Sequence, residues 1–510
     1  MKYCNISRLK KGFLKGCLIV ACLIPSMMTA QNRGNAPGFQ GMDDVSIPSA
    51  RVSAIGGAFT AMNGDVNALY FNPAGLSGIS GLQVALNMHS QNRSWRENQE
   101  YRPNRRFVTL PFYLEKLYIP DPANNGRWDH EVFFEGLLDT AYIVSLPDTG
   151  QEPYSTEAAD WKHDVSKSGI SDITFAVPLT LGNTNLTFAA GIKPSTPIQD
   201  YDRNETWLDP HIAYIEYDMI PQLDGSDTVR MHWYDFERSR TGTAMNIFAA
   251  MSADILPWLS AGAGFEYYSS ETEDRLSKHK IGYFDLFYEN QFMYSYDTLD
   301  IQYDGTSTFS FLKTNVGLLI KRDHLSVGLN VSLPYSINRD FSYEKSVTDT
   351  LGTTTRSLSG TESVEIPAGF ALGVVLKPAE KFLMTLDWTL TPYSNAEWSW
   401  DETLEGEQRE WANQKSLRFG MEFTPLTYLT FRGGYRADSQ VFIPDGAARI
   451  DWGPDRITWS LGAGLNAGRF GTLNASVLFS TLKYYDQYFS NINYVTDEST
   501  RWVIGYAYTF

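Results

Sequence analysis

The sequence predicts an all-β fold, a fourteen-stranded antiparallel transmembrane β-barrel with an N-terminal hatch in its lumen, and three observations carry that reading. Fourteen alternating apolar stretches run from Leu82 to Phe510, the first thirty residues read as an export signal, and residues 31–81 stand apart because they do not alternate. The stretches are joined by seven long and six short connections in turn. Short turns on one side and long ones on the other mark a barrel of the bacterial outer membrane.

The chain divides into 1–30, 31–81 and 82–510. Lys2, Arg8, Lys10, Lys11 and Lys15 make a basic start, Gly16 to Met28 an apolar stretch, and Thr29-Ala30 a small-residue exit. Ile19-Val20-Ala21-Cys22 loosely resembles a lipobox, but apolar residues continue past Cys22. Cys4, Cys17 and Cys22 all lie in this segment, so a processed chain has no disulfide and no cysteine metal site. Processing also takes away five positive charges and no negative ones, moving the formal net charge from −17 to −22. Such acidity excludes nucleic acid as an expected partner, because that needs a basic surface. No later run is apolar and long enough for a membrane helix. A barrel escapes that test, since only alternate residues face lipid.

The expected strands are 82–92, 171–181, 185–195, 243–255, 258–269, 307–320, 324–337, 363–376, 381–391, 415–424, 428–437, 457–466, 471–482 and 501–510. Leu325, Val327, Leu329, Val331 and Leu333 oppose Ser326, Gly328, Asn330 and Ser332. Trp459, Leu461, Ala463 and Leu465 oppose Ser460, Gly462, Gly464 and Asn466. Apolar outside and small or polar inside is what lipid and a lumen require. Tyr267, Trp388 and Trp502 stand where interfacial aromatics belong. The last strand, with Trp502, Ile504, Tyr506, Tyr508 and a terminal Phe510, resembles the assembly signal of outer-membrane barrels. Both chain ends then fall on the periplasmic side, with the long loops outward.

Residues 31–81 are rich in small residues, which allows tight packing in a confined space. A short helix over about 52–62 and another over about 65–70, capped by Asp65 or Gly64, is the expected path, with a turn at Asn72 ahead of Pro73. The run GGAFTAMNGDVNALYFNPAGL holds Gly56, Gly57, Asn72, Pro73, Ala74 and Gly75. It resembles the N-terminal hatch of the long-chain fatty-acid transporter (FadL-type) family of outer-membrane proteins, including its Asn-Pro-Ala hallmark. The resemblance implies a fourteen-stranded barrel plugged from the periplasmic side, carrying a hydrophobic or amphipathic small molecule such as a fatty acid. PorV-like proteins of the Bacteroidetes secretion system carry a similar GGA…NPAGL hatch. For that branch the implied partner is a secreted or surface protein. Outer-membrane lipid and lipopolysaccharide are the expected surroundings in either case.

Charged residues at inward positions are the candidate ligand site. Arg418, Arg432 and Arg436 could hold a carboxylate through the guanidinium fork, or pair with Glu422, Asp387 or the hatch and only stiffen the barrel. Lys193 and Lys313 are weaker candidates. Pro194, near the end of the third strand and after Gly191, either ends that strand or marks a gap in the ladder. The family resemblance implies a lateral exit at such a kink. The long outer loops 93–170 and 196–242 carry apolar clusters (112–114, 117–119, 133–134, 137–138) that form a capture groove or fold on one another. Glu397, Asp401, Glu402, Glu405, Glu407 and Glu410 read as a solvated acidic face rather than a cation site, and no metal or cofactor is expected. The seven histidines have no zinc or triad spacing, so no enzyme activity is expected. Gly462 to Ala467 imitates a nucleotide-binding loop but lies in a strand followed by a hairpin.

Overall fold

The computed structural model describes residues 38–42, 46–99, 161–182, 184–209, 228–287, 292–401, 404, 411–444, 452–488 and 491–510. The export segment, the apolar clusters of the first outer loop and Glu402, Glu405, Glu407 and Glu410 lie outside these residues.

Fourteen antiparallel staves close into one barrel. They are β1 (Gln83–Gln99), β2 (Trp161–Leu181), β3 (Thr184–Asp209), β4 (Thr228–Leu256), β5 (Leu259–Phe287) and β6 (Phe292–Lys321). Next come β7 (Leu325–Ser332 with Tyr335–Asp349), β8 (Gly352–Ile366 with Gly369–Ala379) and β9 (Phe382–Thr391 with Glu397–Ser399). The last five are β10 (Gln414–Leu426), β11 (Leu429–Ser439), β12 (Asp455–Asn466), β13 (Thr472–Tyr488) and β14 (Asn491–Thr509). Closure pairs β1 with β14, from Gln83 opposite Thr509 to Gln99 opposite Asn493. Staves β7, β8 and β9 are each interrupted at a proline (Pro334, Pro367, Pro392), which has no N–H for the ladder. Pairing resumes in step beyond each break: Val331 faces Phe370 and Ile337 faces Val364.

Most of the expected long loops are strand instead. Staves β3 to β6 run on to Asp209, back to Thr228, on to Phe287 and back to Phe292. The connection between β7 and β8 is a tight turn from Asp349 to Gly352. The reason lies in what each face touches. On β6 the outward residues Leu312, Val316, Leu318 and Ile320 are apolar and exposed, with Thr314 among them. Further up the same face come Ser310, Thr308, Thr306, Asp304 and Gln302, while Phe309 and Tyr303 turn inward and are buried. Period two persists, but its chemistry inverts where lipid gives way to water. A search for apolar-out alternation therefore ends at the lipid edge. The lower part, nine residues at ~3.3 Å each and tilted, fits an apolar band of roughly 25 Å.

Three large buried clusters among the described residues lie in the lumen. The lowest joins hatch residues such as Val52, Ile55, Phe59, Leu69 and Leu76 to the wall through Ala176, Phe248 and Leu319. Above it, Phe39 meets Phe309, Trp398, Trp400 and Trp411 edge-on, with centroids 5.6–6.4 Å apart. The third, around Phe236, Leu276, Phe341 and Tyr343, lies within the extended strands. No helix among the described residues is long and apolar enough to cross a membrane.

Candidate functional site

Residues 46–79 form the hatch, seated across the lumen. Its helix is only Ala50–Ala54, shorter than the expected 52–62, because Gly56 and Gly57 take positive φ of 66° and 81° and turn the chain away. A 3₁₀ turn follows over Val66–Tyr70, where the Asp65 side chain accepts from Asn67 N–H at 2.8 Å, and a second over Pro73–Leu76. Asn72 does three things at the second turn. Its Oδ1 accepts from Ala74 N–H at 3.1 Å, and its Nδ2 donates to Thr60 O at 2.8 Å and to Leu318 O at 3.1 Å. Gly75 packs where a Cβ would meet Met62 O and, at 2.9 Å, the Ala68 methyl. The motif residues thus fix the hatch backbone and its seat.

The wall is cut to receive that backbone. Gly262, Gly317, Gly328, Gly373, Gly420, Gly434, Gly462 and Gly505 sit on eight staves, and a Cβ at any of the first seven would enter hatch atoms. Three adjacent pairs lie directly opposite in the ladder: Gly262 with Gly317, Gly328 with Gly373, and Gly420 with Gly434. This glycine belt lets main chain rest on main chain. Polar groups complete the seat. Phe59 N–H and Thr60 N–H both donate to Asp387 Oδ2 at 2.7 Å. Ser460 Oγ donates to Ala54 O at 3.1 Å, and Arg51 bridges Asp65 (2.7 Å) and Glu422 (2.9 Å).

The three candidate arginines are separated by what they touch. Arg432 Nε donates to Glu422 at 3.0 Å and its Nη1 to Asn474 at 2.9 Å, so it belongs to the hatch anchor. Arg418 Nε donates to Ser416 Oγ at 3.0 Å, and Ser416 in turn bonds Asp438. Arg436 lies 2.7 Å from Asp438, two residues along its own strand, yet its Nε and Nη1 lack a hydrogen bond of good geometry among the described residues. Arg436 lines a cavity of about 80 Å³ with Arg93, Arg456 and Arg501. Of the two weaker candidates, Lys193 stacks its ammonium over Tyr70 and Phe248 at 4.8 and 4.9 Å, and Lys313 over Tyr335 at 5.6 Å.

At Pro194 the wall changes. The β2–β3 ladder runs from Leu181 opposite Thr184 only as far as Ile173 opposite Ile192. The β3–β4 register shifts between Lys193 and Thr196, which places Pro194 and Ser195 in a bulge. Above it the two staves remain neighbours, held by side chains. Ser195 Oγ donates to Ile170 O at 3.0 Å, Trp161 Nε1 donates to Arg203 O at 3.1 Å, and His163 stacks on Tyr201 at 3.9 Å. Inside, Tyr70 of the hatch donates to Asp172 at 3.1 Å, and Gly191 leaves room for Leu69 and Tyr70.

Alternation alone did not reveal Arg93 and Arg456, which fall one residue beyond the apolar stretches at 92 and 457. Arg501 opens the last stretch on its inward face and was readable there. Among the described residues no group of His, Cys, Asp or Glu has metal-site geometry.

A closed fourteen-stranded barrel with an apolar band and a seated hatch has the build of a plugged outer-membrane channel. More particularly, the fold is that of the FadL-type outer-membrane channels. The P. putida toluene transporter TodX matches with a TM-score of 0.55 at 12% identity, covering 90% of this chain and 97% of that one. A Pseudomonas aeruginosa FadL homologue matches with a TM-score of 0.53 at 13% identity, covering 91% and 99%. No family model matches the sequence, and neither does any curated protein.

Proposed function

We propose that this barrel admits hydrophobic or amphipathic small molecules, long-chain fatty acids among them, and releases them sideways through the seam between β2 and β3. The observation that carries the reading is the ladder ending at Ile173–Ile192, beside the Pro194 bulge and against the hatch tip. A strand pair without ladder bonds is the easiest place in a barrel wall to part, since only side-chain contacts have to break. The glycine belt holds the hatch elsewhere. Support also comes from the fold shared with a toluene transporter and a FadL homologue. In this orientation the short turns and both chain ends are periplasmic. Outer-membrane lipid covers the apolar band, and lipopolysaccharide flanks the polar outer faces of the extended strands.

A reversible lock tests the exit. A Cβ built at Gly169 stands 3.8 Å from Ser195 Cβ, the usual separation in a disulfide. Gly169→Cys with Ser195→Cys should block uptake of a fatty acid when oxidised and restore it on reduction. Full uptake through the oxidised barrel would defeat the lateral route. A defect in surface-protein secretion with normal uptake in a deletion strain would favour the PorV-like platform.

A further inference from the structure

We infer that the upper edge of β8, from Gly352 to Glu362, is a docking edge for an extended segment of another protein, which joins the sheet there as one more strand. This docking role is separate from the conduit reading and requires only that the edge lie outside the lipid. On β7 and β8 the outward apolar residues stop at Leu333 and Phe370, beside the proline breaks. Above them β7 turns Asn338, Asp340, Ser342 and Glu344 outward, all exposed. In the orientation proposed above, a partner arrives from the cell-surface side.

The edge is bare on one side. β7 pairs with β8 all the way from Tyr335 opposite Ile366 to Asp349 opposite Gly352. On the other side β9 offers only Glu397 to Ser399, opposite Glu365 to Ser363. Its chain then leaves the ladder, with Asp401 packed on Gly360 and Leu404 buried beside Leu358 and Phe341. From Glu362 up to Gly352, β8 has no second strand among the described residues, and Thr353, Thr354, Thr355, Arg356 and Ser357 are all exposed. Every second residue of such an edge points its N–H and C=O into an empty lane, which is a template for strand addition. The devices that usually blunt an edge are missing, since Gly352 to Glu362 contains no proline, no lysine and no register shift.

The edge is also preformed. Asp349 Oδ1 accepts from Leu351 N–H at 2.7 Å and from Gly352 N–H at 3.1 Å. The Thr348–Thr353 and Ser346–Thr355 hydroxyl pairs tie the two strands together below that turn. Little ordering is left for binding to impose. Leu351, 94% exposed at the tip, offers an arriving strand an apolar contact.

Charge says what that strand carries. Arg356 shares the face of the buried Leu358 and stands opposite Lys345, whose ammonium lies over the Tyr303 ring at 5.3 Å, so the ladder neighbour supplies no carboxylate. On the outward face Ser357 stands opposite Glu344, and beyond it Asp304 is already paired with Arg275 at 3.0 Å. A strand laid beside β8 fits when the residue next to Arg356 is acidic and the one next to Ser357 is basic, because a long basic side chain reaches across the small serine to Glu344. A second copy of this chain does not meet that rule. The face of its edge that carries Arg356 holds Thr354, Leu358 and Gly360, and Glu362 is buried and bonded to Arg339.

The test titrates labelled Thr/Val peptides of about ten residues, matched to the edge, onto the full-length protein in non-ionic detergent by fluorescence anisotropy. One peptide has a central Glu-Lys pair, the second a central Lys-Lys pair, and the third is the Glu-Lys peptide N-methylated at alternate residues. The Glu-Lys peptide should bind and slow amide exchange between Thr353 and Ser359. The Lys-Lys peptide should bind about fivefold more weakly, with the difference shrinking as salt rises. Arg356→Glu, a change at an exposed position, should reverse that order, and N-methylation should abolish binding. Failure of the Glu-Lys peptide to bind the wild type overturns the docking edge, as does slowed exchange elsewhere with none on β8. Undiminished binding of the N-methylated peptide, or an order unchanged in Arg356→Glu, overturns it equally.

Discussion

Asp387 offers the sharpest test of how the hatch is held. Its Oδ2 accepts both Phe59 N–H and Thr60 N–H at 2.7 Å, and the carboxylate is fully buried. Hydrogen bonds to a charged acceptor contribute ~1.5–3 kcal/mol each, so Asp387→Ala should weaken the seat by roughly 3–6 kcal/mol. At 1.4 kcal/mol per decade, that raises the unseated fraction about 10²- to 10⁴-fold. Asp387→Asn keeps one oxygen for the two donors and loses only the charge, so its effect should be about 1–2 kcal/mol. Amide exchange at Phe59 and Thr60 reads the seat directly, and ionic conductance across a planar bilayer reads the leak. Both should rise in the order wild type, Asn, Ala. Unchanged exchange at these two amides in the alanine variant would refute the idea that Asp387 anchors the hatch.

Two further outcomes follow from the same contacts. Gly434→Ala puts a methyl into the Gly56 backbone and should cost about 1–3 kcal/mol by overpacking, lowering the thermal midpoint, whereas the neighbouring Gly433→Ala meets nothing nearer than Leu461 at 4.0 Å and should be silent; equal effects would argue against a belt. Above the lipid edge, Asp274 is bonded by Arg240 (2.6 and 2.7 Å), Ser307 (2.6 Å) and Tyr343 (2.7 Å). Burial pushes its pKa up, but the Arg240 charge and these bonds outweigh it and hold the carboxyl well below its ordinary value. A depressed folded pKa gives stability that is complete above the unfolded value of about 4 and is lost as pH falls through the lower folded one. The upper barrel should therefore stay closed to about pH 4 and loosen in stronger acid, followed by tryptophan emission. Asp274→Asn should remove that part of the acid dependence, and an identical acid profile would count against the clamp.

The sequence makes some of this fold readable and conceals the rest for identifiable reasons. Lipid imposes a one-sided rule on Leu312 to Ile320, so the membrane half of every stave is visible as alternation. Water imposes the reverse rule on Gln302 to Ser310, and the eye trained on apolar-out stretches takes a strand for a loop. Asn72, Pro73 and Gly75 are legible as a unit because each serves a local turn: Asn72 caps, Pro73 starts the 3₁₀ helix, and Gly75 passes Met62 O. The early end of the first helix is not local. Gly56 takes its left-handed turn against Tyr435 and Gly434, nearly four hundred residues along the chain, and no window around Val52 contains that fact.

The same distribution of contacts bears on how such a plug could work. Glycines that admit hatch backbone lie on β5 to β8 and β10 to β12, and the buried anchors Asp387, Glu422 and Ser460 lie on β9, β10 and β12. Toward β2, β3 and β4 the hatch presents Tyr70, which donates to Asp172 at 3.1 Å, lies under the Lys193 ammonium at 4.8 Å and meets Phe248 edge-on at 4.7 Å. Breaking that set costs less than unseating the belt, since one neutral-donor bond, one cation–π contact and one aromatic contact oppose seven close glycine fits and the bonds to Asp387, Glu422 and Ser460. Sideways release therefore asks for movement of the Val66–Tyr70 turn alone, with the rest of the hatch still sealing the lumen. Tyr70→Ala should raise uptake without raising ionic conductance, whereas Asp387→Ala should raise conductance. If both variants leak ions alike, the hatch moves as one piece and the division between seat and gate is wrong.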